Sequence, residues 1–128
     1  MFKRIDHVEL IPSNFDRTLA FYTGVLGFKM GERKKVVNKP PLEEICYLKL
    51  GDTVLELMLV TKPAPAARET WQVGYKRIAL EVEDMEQAVQ HLQSKGVKIA
   101  VPPVNMGTSI RGEFSDPDGL SIELRQWL

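Results

Sequence analysis

The sequence predicts an α+β fold of two tandem βαβββ modules, which form a curled, antiparallel-rich sheet around a central trough. Two internal repeats carry this prediction. The strand and helix pattern of residues 7–24 recurs at 77–96, and the strand pattern of residues 51–57 recurs at 118–124. The first repeat is offset by 70 residues and the second by 67. Two copies of one unit would place two matched sets of side chains along the trough.

The first module begins with alternating, β-branched residues and continues with a helical pattern. Asn14 is a favourable N-cap, and Gly24 ends the helix. An apolar stripe at helical spacing predicts the buried face: Phe15, Leu19, Tyr22 and Leu26. The predicted strands of this module are 4–11, 28–36, 45–50 and 53–60.

The domain prediction is a single domain over residues 1–128, with module one at 1–60, a linker at 61–73 and module two at 74–128. In module two, Asp84 and Gln87 have the spacing of an N-cap and its capping-box partner. Met85, Val89 and Leu92 form the predicted apolar stripe. Strands are predicted near 97–101, 108–115 and 119–126, with Pro102-Pro103 and 116–119 as turns.

Composition limits the function classes. Seventeen basic and seventeen acidic residues cancel, so no global field favours nucleic acid or an anionic membrane. No segment has the roughly 20 apolar residues of a spanning helix, and the N-terminus turns polar too early for a signal peptide. The lone Cys46 rules out an internal disulfide and is expected to be a small buried hydrophobe. We expect a cytoplasmic protein.

Strand alternation places one aliphatic face under the helices and collects polar groups on the other face. The polar set comprises His7, Glu9, Glu56, Arg77, Glu81, Glu123 and Arg125. A solvent-exposed sheet face is the simpler explanation. However, the repeat puts a candidate functional group at the same strand positions of both copies, which favours a ligand site in the trough.

Several segments resemble the vicinal oxygen chelate superfamily, which includes glyoxalase I (lactoylglutathione lyase), methylmalonyl-CoA epimerase, extradiol dioxygenases, fosfomycin-resistance enzymes and bleomycin-binding proteins. The resemblance rests on His7-Val8-Glu9-Leu10, 19–22, 25–28, 78–82, 114–119 and 122–124, and it covers nearly the whole chain. The resemblance implies the fold, whereas the activity has to be argued from the site.

In the metalloenzymes of that superfamily, each module supplies one metal ligand from its first strand and one from its last. Carried over by position, His7, Glu56 and Glu123 are the implied ligands, a pattern most similar to bacterial glyoxalase I. The fourth ligand place, usually His, is Arg77 in this chain. One imidazole and two carboxylates suit Ni²⁺, Co²⁺, Zn²⁺ or Mn²⁺.

Arg77 is the departure that leaves the function open. A guanidinium stays protonated, so at ~5 Å and an effective dielectric near 20 it would repel each unit of metal charge by about 3 kcal/mol. Three outcomes are compatible with this: Arg77 grips an anionic substrate beside the metal, it pairs with Glu123 or Glu56, or it forms a structural ion pair that closes a vestigial site.

Two functions follow. The first is a metal-dependent lyase or isomerase of the glyoxalase type, acting on a small oxygen-rich substrate by enediolate-type proton transfer, with Glu56 or Glu123 as catalytic base. The second is a metal-free protein of the bleomycin-resistance type that sequesters a small molecule. In both, Arg77 and Arg125 would bind an anionic ligand. Whether the chain is an enzyme at all stays open at this point.

Secondary expectations concern the surroundings of the site. The aromatic residues Phe21, Tyr22, Trp71 and Trp127 are candidate walls, although the first two suit a helix core better. His91 is expected at a helix surface, loops 37–44 and 102–108 are expected to rim the trough, and the superfamily implies a homodimer. Neither the substrate, the metal nor the pairing of modules within or between chains follows from the sequence.

Overall fold

A computed structural model describes residues 1–67 and 69–128. The chain forms two compact units, residues 1–66 and residues 67–128. Each contains one helix and a four-stranded mixed sheet with the order of elements βαβββ. The predicted α+β class and the two tandem modules are therefore confirmed.

The first unit consists of β1 (Val8–Leu10), α1 (Phe15–Gly24), β2 (Lys29–Lys35), β3 (Leu42–Leu50) and β4 (Thr53–Val60). Its strand order is β1-β4-β3-β2, in which β1 runs parallel to β4 and the other neighbours are antiparallel. Strand β1 is therefore an edge strand that lies directly beside β4, and the two strands bring distant parts of the sequence together.

Helix α1 begins where the sequence predicts it. The Asn14 side chain accepts a hydrogen bond from the Arg17 backbone N–H at 3.0 Å, which satisfies one of the unpaired donors of the first turn. Phe15 and Tyr22 are buried on one side, and the Tyr22 ring meets Phe28 edge to face at 5.6 Å. The buried apolar sheet residues of this unit are Ile45, Cys46, Leu48, Leu55 and Leu57. The expectation of a buried Cys46 is confirmed.

The second unit consists of β5 (Ile78–Glu81), α2 (Met85–Ser94), β6 (Ile99–Asn105), β7 (Ser109–Ser115) and β8 (Ser121–Trp127), with the strand order β5-β8-β7-β6. Asp84 caps α2, because its carboxylate accepts from both the backbone and the side-chain amide of Gln87. The buried apolar residues are Met85, Leu92, Phe114, Ile122 and Leu124.

Three predicted boundaries are wrong. The strand predicted at 4–11 is reduced to Val8–Leu10, since β4 begins at Thr53 and leaves residues 4 and 5 without a strand opposite them. Strand β3 begins at Leu42, inside the predicted loop 37–44. Pro102 and Pro103 lie within β6 instead of forming a turn. The edge position of β6 and its register shifts between Val101 and Val104 explain this, because an edge strand tolerates missing N–H donors.

Among the described residues, no helix is long and apolar enough to cross a membrane.

Candidate functional sites

The first candidate site lies where β1 meets β4. In the parallel register Glu9 is opposite Glu56, and His7 precedes Glu9 by two residues, which places it on the same face of the strand. We call His7, Glu9 and Glu56 the imidazole–carboxylate cluster. Each offers one ligand atom, and these atoms all lie within 4.8 Å of one another.

The cluster is arranged around the imidazole. His7 Nε2 lies 3.2 Å from Glu56 Oε2 and 3.6 Å from Glu9 Oε1. Burial differs strongly between the two carboxylates, because the Glu56 side chain is 9% exposed and that of Glu9 is 58% exposed. Within the described residues, no arginine or lysine pairs with Glu56. Glu56 is thus a deeply placed carboxylate whose cationic partner is a histidine.

Asp6 orients the histidine from its other side. Its Oδ2 lies 2.9 Å from His7 Nδ1, so a proton on Nδ1 would donate to Asp6 and leave the Nε2 lone pair directed at the two glutamates. The Asp6 hydrogen bond raises the pKa of His7; burial opposes this, and Glu9 and Glu56 add to the increase. Without another cation, the cluster therefore favours the protonated imidazole.

Tyr47 forms a wall of the same site. It is opposite Glu56 in the β3–β4 ladder, and its ring meets the His7 ring edge to face at 6.3 Å. The negative charge of Glu56, burial and a hydrogen bond to Glu56 together raise the pKa of Tyr47. The phenol therefore stays protonated and serves as a hydrogen-bond donor beside Glu56.

The second candidate site lies on the sheet of the second unit. Arg77 directly precedes β5, Arg111 is opposite Arg125, and Glu113 is opposite Glu123 across the β7–β8 ladder. These five residues share one face and form what we call the arginine cluster. Their side chains are 12 to 30% exposed.

Ion pairs connect the whole arginine cluster. Arg77 Nη1 donates to Glu113 Oε1, which also accepts from Arg111 Nη2. Arg111 Nη2 reaches Glu123 Oε2 at 3.1 Å. Arg125 donates to Glu123 Oε1 through Nε at 2.8 Å and through Nη2. Glu123 is therefore held by two guanidiniums.

The charges in the arginine cluster do not balance. Three guanidiniums face two carboxylates, which leaves one positive charge in a half-buried position. Arg77 Nε is buried and has no hydrogen-bond partner among the residues that the structure describes. A buried N–H donor without an acceptor is costly, so the cluster has the capacity to accept an anionic group at Arg77.

The arginines lower the pKa of both glutamates, Glu113 and Glu123. Burial alone would raise the pKa of Glu113, but hydrogen bonds from Arg111 and Arg77 outweigh it and lower the pKa. Burial likewise opposes Arg125 and Arg111 at Glu123, whose pKa is also lowered. Both carboxylates are thus more acidic in the folded chain than their ordinary value of 4.5.

These shifts predict a loss of stability in acid. A group with a lowered folded pKa stabilises the fold above its unfolded pKa, and that contribution disappears as the pH falls through the folded value. We expect the free energy of unfolding to fall below about pH 5, with a shallower fall in Glu123→Gln, which cannot lose that charge. Urea unfolding between pH 7 and pH 3 measures both slopes. Equal slopes for the two proteins would contradict the prediction for Glu123.

The predicted site residues separate into the two clusters. The first unit brings together His7 and Glu56, and the second brings together Arg77, Glu123 and Arg125. The expected carboxylate partner of Arg77 was Glu123 or Glu56, whereas the structure shows Glu113 in this role. The predicted substrate donor Arg125 uses Nε, Nη1 and Nη2 on Glu123 and Ser109.

Sequence reasoning missed four residues of the two sites: Arg111 and Glu113 of the arginine cluster, and Asp6 and Tyr47 beside the imidazole–carboxylate cluster. Strand register supplies the signal that would have found two of them. Tyr47 is opposite Glu56 and Glu113 is opposite Glu123, so the two positions correspond in the two modules. When the strand pairings are known, the residue opposite the last-strand glutamate can be read off: Tyr47 in the first module and Glu113 in the second.

The two clusters differ in their fit to a divalent cation. The imidazole–carboxylate cluster offers one neutral nitrogen donor and two anionic oxygens without an arginine or lysine on Glu56. In the arginine cluster, Glu123 would have to release Arg125 and Arg111, and Arg77 offers no lone pair. The residues of the first unit fit a metal, and those of the second unit fit an anion.

Comparison with known proteins agrees with the fold. Residues 4–124 match the model of the Glyoxalase/Bleomycin resistance protein/Dioxygenase superfamily. The chain is 31% identical to a lactoylglutathione lyase of Neisseria meningitidis serogroup A over 96% of this chain and 90% of that protein. It is 30% identical to the uncharacterized protein YaeR of Escherichia coli K12 over 95% of each. The crystal structure of a glyoxalase family protein from Enterococcus faecalis superposes with a TM-score of 0.80 at 28% identity, covering 97% of this chain and 98% of that one.

The chain belongs to the Glyoxalase/Bleomycin resistance protein/Dioxygenase superfamily, as its motifs indicated. Members of this superfamily have different activities, and the relatives include a mitochondrial methylmalonyl-CoA epimerase of Bos taurus at 27% identity. The activity of this chain therefore has to be argued from the two clusters.

Proposed function

We propose that this chain is a metal-dependent lyase or isomerase of the glyoxalase type, which moves a proton at a carbon next to a carbonyl group of a small, oxygen-rich substrate. The observation that supports it most is the buried Glu56 carboxylate, which faces His7 Nε2 at 3.2 Å without an arginine or lysine partner in the described part of the chain. A relative at 31% identity is named lactoylglutathione lyase, which supports a lyase of this type.

The proposed cation is Ni²⁺, Co²⁺, Zn²⁺ or Mn²⁺, held by His7 and Glu56. When bound, such an ion polarises a carbonyl oxygen and lowers the cost of negative charge on it. Glu123 is the third ligand implied by position, and it would have to leave its two arginines to take that role.

The residues of the first unit have separate tasks in the proposal. Asp6 holds the His7 ring so that Nε2 faces the site. Tyr47 donates to Glu56, and its ring meets the His7 ring edge to face. The Glu56 carboxylate is the proposed general base, because a carboxylate held beside the substrate carbon can accept its proton, and it would release the cation to do so. Glu123 is the alternative base.

Anion binding is proposed for the second unit from the contacts of that unit alone. The Nε–H of Arg77 is buried and has no partner within residues 1–67 and 69–128, and a substrate carboxylate or phosphate would satisfy it. Arg125 is the second predicted substrate donor, and it would have to release Ser109 or Glu123 to act. A cytoplasmic location and a homodimer remain predictions within the same proposal.

An activity measurement on the metal-loaded full chain tests the proposal. We expect the chain, loaded separately with each of the four ions, to form lactoylglutathione from methylglyoxal and glutathione or to exchange the α-proton of a 2-oxo or 2-hydroxy acid with solvent deuterium. Glu56→Gln is expected to lower the rate by roughly 100-fold or more, since it removes the base. Activity that is unchanged by a chelator would contradict a role for the metal.

A metal-free binding protein is the second candidate, and the state of Glu123 favours it. That carboxylate is already neutralised by Arg125 and Arg111, so the second unit presents a preformed, positively charged surface without any metal. Under this alternative the arginine cluster would sequester an anionic small molecule. His7→Ala would leave ligand binding unchanged, whereas the proposed enzyme would lose its metal.

A further inference from the structure

We infer that the first unit holds the cation by itself, through His7, Glu9 and Glu56, and that Glu123 is not a ligand. This inference rests on the proposed function, because it specifies which side chains bind the proposed metal. It differs from the positional expectation by exchanging Glu123 for Glu9. It also makes the metal site independent of Arg77.

Strand geometry places Glu9 in the site. Glu9 and Glu56 are direct partners in the parallel β1–β4 ladder, and His7 lies two residues away on the same face. Bonds of 2.0–2.2 Å in a tetrahedral arrangement separate neighbouring ligand atoms by roughly 3.4 Å. The separations from His7 Nε2 are 3.2 Å to Glu56 and 3.6 Å to Glu9. Both distances are close to this value, and all three ligand atoms lie within 4.8 Å of one another.

Charge supports the same three residues. Two carboxylates offset a divalent cation, and the third donor, a neutral imidazole, adds no charge. The Glu56 side chain is nine-tenths buried and is directed into the cluster, while Glu9 is 58% exposed. The site therefore has a closed side at Glu56 and an open side at Glu9. Three protein ligands and one open position are the usual arrangement of catalytic zinc sites.

The second unit lacks this arrangement at two of the three corresponding positions. Ala79 is opposite Glu123 in the parallel β5–β8 ladder, where the first unit has Glu9 opposite Glu56. Arg77 stands two residues before Ala79, as His7 stands before Glu9. One carboxylate thus remains, and Arg125 and Arg111 hold it. The repeat has diverged into one cation-binding unit and one anion-binding unit.

Isothermal titration calorimetry of the full chain with Co²⁺ alone tests the inference. We expect Glu9→Gln to weaken Co²⁺ binding by about 10- to 100-fold, because it removes a charged ligand. The matched control Glu123→Gln is expected to bind Co²⁺ within about twofold of the wild type. Glu9 is exposed, so its replacement leaves the fold intact, and circular dichroism verifies this for both variants.

Each outcome separates the inference from the proposed function. Weaker binding in Glu123→Gln with unchanged binding in Glu9→Gln would overturn the inference and leave a metal-dependent function in place. Absence of Co²⁺ binding by the wild type, repeated with Ni²⁺, Zn²⁺ and Mn²⁺, would overturn both. Equal weakening in the two variants would also overturn it, because Glu123 would then be a ligand.

Discussion

His7→Ala is expected to abolish tight binding of a divalent cation and with it any metal-dependent turnover. His7 supplies the nitrogen donor of the imidazole–carboxylate cluster, and its Nε2 is the atom closest to both carboxylates. Without it, two glutamates remain, one of them largely exposed. We expect the dissociation constant for Ni²⁺ or Co²⁺ to rise by at least about 100-fold, measured by equilibrium titration of the full chain.

The chain provides a matched control for this prediction. His91 is its second histidine and lies on α2 in the other unit. His91→Ala is expected to bind the metal as the wild type does. If both variants kept wild-type affinity, the cation would bind elsewhere and His7 would lose its assigned role. If both lost affinity equally, a general effect on the fold would be responsible instead of a ligand.

Glu123→Ala is expected to destabilise the chain by about 2 kcal/mol. Removing this carboxylate takes from Arg125 the glutamate with which it pairs and leaves Arg111 with Glu113 alone. Breaking a fully buried ion pair costs roughly 3–5 kcal/mol, and the side chains here are partly exposed, which reduces the cost. Urea unfolding at pH 7 and low ionic strength measures the change.

An exposed glutamate near α2 is the control for Glu123→Ala. Glu83→Ala removes the same charge from a solvent-exposed position and should change the free energy of unfolding by less than about 0.5 kcal/mol. A similarly small effect of Glu123→Ala would show that the arginine cluster does not stabilise the second unit. In that case Glu123 would be available for metal binding, contrary to our inference.

The repeated strand and helix patterns predicted the fold because they depend on local periodicity. Both N-caps, the buried face of α2 and the order of elements follow from neighbours in the sequence. The wrong strand boundaries lie where the local residue pattern favours one structure and the position in the sheet favours another. Pro102 and Pro103 resemble a turn, but the edge position of β6 accommodates them in a strand.

Part of the site could be predicted from local strand periodicity, as the fold could. His7 and Glu56 were recognisable because their strand positions recur in the second module, at Arg77 and Glu123, and because both are metal-binding residue types. The roles of Glu9, Tyr47 and Glu113 depend on register between strands that are distant in the sequence, and alternation alone does not specify register. Which carboxylate meets Arg77 is therefore visible only in three dimensions.

The most direct test of the account is the metal content of the wild-type chain. Purified full-length protein without a tag would be incubated separately with Ni²⁺, Co²⁺, Zn²⁺ and Mn²⁺, dialysed and analysed by inductively coupled plasma mass spectrometry. The account predicts about one tightly held ion per chain for at least one of these metals. Less than about one ion per ten chains for all four metals would contradict the account. The metal-free binding protein, with the arginine cluster as its ligand site, would then be the remaining candidate.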